Sequence, residues 1–149
     1  MNINIISSPK ASSYQVIGWE TWLKHGDQYL NATTPKGEKA RFNGETRYNL
    51  LSMSLESYIM AILDYFHTLP DNHTYTDLIM ALDTVLKIDE DLKNRILKYE
   101  NIQSICSIEK YHRSPPTEEE LADLKGAIKK IREHAHEICV LDGPIPTDT

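Results

Sequence analysis

The run RYNLLSMSLESYIMAILDYFHTL, from Arg47 to Leu69, constrains this chain more than any other stretch. Apolar residues recur at Leu51, Leu55, Tyr58/Ile59, Ile62, Phe66 and Leu69, three or four apart, which is the helical period. A second set, Leu50, Met53, Met60 and Leu63, widens that stripe. So broad an apolar face needs neighbours on more than one side, so the spacing predicts a central helix over 47–69.

The rest of the chain agrees with a helical fold. Only 6 glycines occur in 149 residues, and no series of alternating strands is visible. With 40% apolar and 26% charged residues, a single domain can bury a core. The expected class is all-α: an up-and-down four-helix bundle with an additional short helix. Residues 1–12 read as a loose arm, 13–140 as the helical domain and 141–149 as an irregular tail.

Local signals place the other helices. Ser12 or Ser13 can cap the first, whose seam is Val16, Trp19, Leu23 and Leu30. Gly26 either weakens that helix by about 1 kcal/mol relative to alanine or lets a neighbour approach closely. Residues 33–44 read as an exposed connection, and Leu69-Pro70 ends the central helix. A short helix is expected over 75–87, capped by Thr74 or Thr76. Asp89 caps a fourth, with Leu92, Ile96, Tyr99, Ile102/Gln103 and Cys106 along its stripe. Thr117-Glu-Glu-Glu120 spells a capping box, in which hydroxyl and carboxylate exchange bonds with each other's backbone amides. Leu121, Leu124, Ala127/Ile128, Ile131, Ala135 and Ile138 form the last seam.

A net charge of -6 argues against a protein that coats DNA or RNA electrostatically. Cys106 and Cys139 fall on apolar helical faces, where buried free thiols in a reducing compartment are expected rather than a disulfide or a zinc site. The N-terminus lacks the features of a signal peptide, and no run is long enough to span a bilayer, so a cytoplasmic location is expected without membrane contact.

Four polar groupings are candidates for chemistry. Arg132 and His136 lie four apart on one helical face and could hold a phosphate while the imidazole trades protons. The plainer alternative is a solvated face beside Glu133 and Glu137. Tyr111-His112-Arg113 precedes a helix N-terminus, where an aromatic can stack on a base and arginine can pair with phosphate. Helix capping by those basic side chains is its alternative. Arg47, with Lys36, Lys39 and Arg41, forms a second basic group that is either a ligand-facing patch or a solvated loop. Ser52, Ser54 and Ser57 lack a nucleophile context and read as small packing residues. His134 and His136 point to different sides of a helix and cannot grip one ion, so no metal is expected. No phosphate-binding glycine loop occurs, and no cofactor is expected.

The order of features resembles the HEPN family of helical bundles. The resemblance is carried by Trp22-Leu-Lys-His-Gly-Asp-Gln-Tyr-Leu-Asn-Ala32, the long central helix, and His73-Thr-Tyr-Thr-Asp-Leu78 with Leu82. Glu109-Lys-Tyr-His-Arg113-Ser-Pro-Pro-Thr117-Glu-Glu-Glu-Leu121 adds the aromatic-basic turn and the threonine-capped acidic helix start. The resemblance implies one of two functions. Some members are metal-independent ribonucleases with an Arg-x(4–6)-His motif, paired with nucleotidyltransferases in toxin–antitoxin systems. Others are binding modules, and many form homodimers. Here no arginine before residue 120 is followed at that spacing by histidine, and Arg132 and His136 have only three residues between them. The expectation is therefore a non-catalytic HEPN-like module binding a partner protein, a nucleotide or RNA. A ribonuclease with an atypical Arg/His pair is the alternative. A homodimer follows from the family and from the apolar surface of Met53, Met60 and Trp22.

Overall fold

A computed structural model describes residues 18–34, 43–100 and 116–141 of the chain. Every element among them is helical, and the class is all-α. The elements are α1 (Trp19–Ala32), α2 (Gly44–Tyr65), α3 (Tyr75–Asp83), α4 (Glu90–Leu97) and α5 (Glu118–His136), which runs on into a π-helical turn, Glu137–Leu141. None of these helices is long and apolar enough to cross a membrane. The arm 1–12, both expected first caps, Val16, Lys36, Lys39, Arg41, Cys106, Tyr111, His112, Arg113 and the tail beyond 141 lie outside the described residues.

The central element is α2. It packs against α1, α3, α5 and the π-helical turn, while α5 also meets α1 and α4. All seven residues from Ser57 to Leu63 are buried, so this stretch of the helix has no solvent side. The width of the apolar stripe predicted that arrangement.

Contact with α1 is close because of Gly26. An added Cβ there would lie 2.6 Å from Tyr58 Cε1, nearer than real Cβ atoms come. The same junction carries a hydrogen bond from Ser54 Oγ to the Gly26 carbonyl at 2.9 Å. Ser54 and Ser57 are buried packing residues, as expected.

Several boundaries differ from the sequence reading, each for a local reason. The central helix begins at Gly44 rather than Arg47, because the Asn43 side chain accepts from Thr46 N at 2.8 Å. It ends at Tyr65, ahead of Leu69-Pro70. His67 turns left-handed with φ 59°, His67 N donates to Asp64 O, and Thr68 N donates to Leu63 O at 2.8 Å. This is a Schellman closure with histidine in the position that usually holds glycine. Phe66 and Leu69, expected on the core stripe, are consequently exposed.

Thr74 caps α3 as expected, but the helix stops at Asp83, where Thr84 Oγ1 takes the Ala81 carbonyl at 2.6 Å. Both halves of the capping box at Thr117 and Glu120 are formed, at 3.0 and 2.9 Å. The π-helical turn inserts an extra residue per turn. It buries Cys139 and leaves Ile138 packed at the edge of the core. The Cys139 thiol points at the Ala61 carbonyl at 3.7 Å. Burial first, then the Asp64 and Glu20 charges, pushes it up to about 12, so it stays protonated at neutral pH.

Candidate functional site

Two polar sites among the described residues bear on the candidate chemistry. The first gathers on Asp27 of α1. Tyr58 of α2 donates its hydroxyl to Asp27 Oδ1 at 2.5 Å, and Arg132 of α5 donates Nε to the same oxygen at 2.8 Å. His136 Nε2, one turn further along α5, stands 3.4 Å from Asp27 Oδ2. That nitrogen is shielded from solvent and forms no hydrogen bond. Arg132 and His136 thus share a site, as their spacing allowed, but what they converge on is a carboxylate of this same chain.

The electrostatics follow from that geometry. Burial pushes the Asp27 carboxyl up, yet the bonds from Tyr58 and Arg132 and the charges of Arg132 and His136 together hold it below its ordinary value. Burial, and then the bond to Asp27, pushes the Tyr58 phenol well above the ordinary range, so it remains a neutral donor. A hollow of about 320 Å³ adjoins the pair and is lined by Asp27, Leu30, Asn31, Lys129, Arg132 and Glu133. Two cations there face two carboxylates, which leaves little net attraction for a phosphate.

Arg47 is occupied in the same way. Its guanidinium meets Glu118 of α5 through both terminal nitrogens, Nη1 donating to Oε1 at 2.9 Å and Nη2 to Oε2. This two-pronged pair ties the start of α2 to the first turn of α5. Arg95 of α4 donates to Asp123 Oδ1 at 3.1 Å, and Tyr99 donates to Asp123 Oδ2 at 2.6 Å. Each of the three arginines among the described residues is therefore bound to a carboxylate on another helix.

The second site is a groove between α2 and the start of α3, with a cavity of about 400 Å³. Asn49, Ser52, Met53 and Glu56 form one wall, recurring at helical spacing along α2; His73, Tyr75 and Leu78 form the other, and Tyr48 completes the lining. Ser52 Oγ and the Tyr75 hydroxyl share a hydrogen bond of 2.5 Å. Tyr48 donates its hydroxyl to the Tyr99 carbonyl at 2.9 Å. Glu56 Oε2 accepts from His73 Nδ1. Among the described residues, no lysine or arginine lines this groove.

Sequence reasoning singled out Arg47, Arg132 and His136 but assigned no role to Asp27, Glu56 or Tyr75. Asp27 and Arg132 are 105 residues apart, so no local spacing links them. The groove had a fainter signal: Asn49, Ser52 and Glu56 are polar residues at helical spacing within an otherwise apolar helix. No cluster of histidine, cysteine and carboxylate side chains able to hold a metal ion occurs among the described residues.

No protein-family model matches the chain, and neither curated proteins nor solved structures give a match.

Proposed function

We propose that this chain is a HEPN-like helical binding module without ribonuclease activity, which presents the α2–α3 groove to a partner protein. The architecture that goes with this reading is an up-and-down four-helix bundle with one short extra helix. The observation that carries it is the pairing of every described arginine with an interhelical carboxylate. A guanidinium held by a carboxylate is already neutralised and is a poor clamp for a phosphodiester. The groove, in contrast, is a polar site whose described lining carries Glu56 and no arginine.

The competing reading is a metal-independent ribonuclease that uses Arg132 and His136. One observation favours it: the two side chains do converge, beside a tyrosine hydroxyl. Against it, Asp27 occupies the position between them, where a scissile phosphate would have to sit. An assay on mixed RNA separates the two. The intact chain is expected to leave the RNA uncut and unshifted in a gel, as is His136→Ala. Cleavage by the intact chain that disappears in the variant would establish the ribonuclease.

A further inference from the structure

A hollow where the end of α1 meets the first halves of α2 and α5 holds a lysine that no acid matches. We propose that Lys125 and Thr34 form a binding site for one carboxylate carried on a short apolar stem. The site is separate from the α2–α3 groove and goes beyond the reading given above.

Charge is the first reason. Lys125 is partly buried, and its Nζ donates to a neutral acceptor, Thr34 Oγ1, at 3.1 Å. Among the described residues that is its only side-chain bond, and it has no ion pair. The cause lies in α5 itself: the residues one turn away are Leu121, Ala122, Ile128 and Lys129, none of them acidic. The nearby carboxylates are committed. Glu118 gives both oxygens to Arg47, and Asp27 is held by Tyr58 and Arg132. Glu133 lies with Lys129 and Arg132 along the neighbouring hollow. Burial first, and then the charges of Lys129 and Arg47, holds the Lys125 ammonium below its ordinary value. A partly buried cation beside two others, without a counter-charge of its own, costs the fold stability that a bound anion restores.

The second reason is the set of donors. Lys125 spends one of its three protons on Thr34. The Thr34 hydroxyl accepts that proton and makes no other bond among the described residues, so its own proton remains. Two ammonium protons and one hydroxyl proton therefore stand together, which suits the two oxygens of a carboxylate. Arg47 contributes its field rather than a bond, because Glu118 holds it. The third reason is shape. The hollow has a volume of about 190 Å³, below the range of drug-sized ligands and suited to a group the size of a side chain. Leu51, Leu121 and Ala122 border it and can cover the methylenes of an aliphatic acid. A phosphate brings no such stem and is better met by a guanidinium that is not already paired.

Heteronuclear NMR of the full chain at constant ionic strength tests this with three probes: butyrate, an end-blocked Ala-Glu-Ala peptide, and inorganic phosphate. Butyrate or the peptide is expected to give saturable shifts at Thr34, Ala122 and Lys125, and phosphate none there. The tighter of the two acids identifies the source as a free acid or an acidic protein segment. Lys125→Gln keeps the stem and loses the charge, and an unchanged spectrum elsewhere certifies its fold. It is expected to weaken the acid about tenfold, as loss of one charge-assisted bond predicts. On the intact chain, bound butyrate is expected to move the Lys125 titration upward. Undiminished binding by Lys125→Gln, a Lys125 titration indifferent to butyrate, local shifts with phosphate instead, or silence with both acids overturns the proposal.

Discussion

Gly26 and Asp27 are neighbours on α1 that meet the same residue of α2 in different ways. Gly26 makes room for the Tyr58 ring, and Asp27 accepts its hydroxyl. Gly26→Ala gains about 1 kcal/mol in helix propensity. Its Cβ would stand 2.6 Å from an atom of a buried ring whose hydroxyl is hydrogen-bonded, so the ring cannot swing aside freely. Overpacking of this kind costs about 1–3 kcal/mol, and disturbing the Tyr58–Asp27 bond adds about 1 more. The expected net loss is about 1–3 kcal/mol, read as a lower urea midpoint at unchanged slope; a raised midpoint would contradict the close approach. Asp27 makes the fold sensitive to acid. Its folded carboxyl lies below the ordinary 3.8, so between the two values the unfolded chain binds a proton that the folded chain does not. Stability from this group is full above that ordinary value and is lost as pH falls through the folded one. Asp27→Asn is therefore expected to be less stable at neutral pH and to show a shallower fall in melting temperature on acidification. The fall does not vanish, because Asp123 and Glu118 are also held low by their partners. Parallel curves for the two proteins would assign the acid sensitivity elsewhere.

Helix ends account for most of the differences between expectation and structure at the level of elements. The Thr117 box formed as spelled, because a box needs only four consecutive residues. The end of α2 came early because backbone closure at His67 preceded the proline. A non-glycine residue in the left-handed region costs about 1–2 kcal/mol, partly offset by the greater freedom glycine has when unfolded. His67→Gly is therefore expected to stabilise the protein by about 0.5–1 kcal/mol in thermal or urea denaturation. Destabilisation would mean that the His67 side chain has a role its exposed position does not suggest. The same closure directs Phe66 and Leu69 outward, toward solvent.

At the scale of the molecule, Met53 is still exposed as the dimer argument requires, but Met60 is buried and Trp22 packs against the core. The apolar surface that remains lies elsewhere as well. Leu69, 63% exposed, and Met80, 62% exposed, border one hollow at the α2–α3 end. A homodimer on this reading uses that end. Sedimentation equilibrium is expected to give twice 17.1 kDa for the intact chain and a smaller mass for the double substitution Leu69→Glu, Met80→Glu. A monomer at every concentration would sink the dimer, and an intact dimer in the double variant would place it on another face. Because Leu69 and Met80 are absent from the lining of the α2–α3 groove, the two sites can be tested independently.

The sequence alone determined the helical class, the central place of the 47–69 run, the seam of α2 as far as Ile62, that of α4 at Leu92 and Ile96, that of α5 from Leu121 to Ala135, and the caps at Thr74 and Thr117. All of these depend on residues no more than four apart, where period and capping chemistry act. Tertiary structure decided which polar groups meet. Arg132 could have faced water, a phosphate or a carboxylate, and only the packing of α5 beside α1 made it Asp27. Glu56 and His73 lie 17 residues apart across a turn, and the cavity they wall exists only because α3 folds back along α2. Local spacing places a side chain on a face of its own helix; what stands opposite that face is set by how the helices pack.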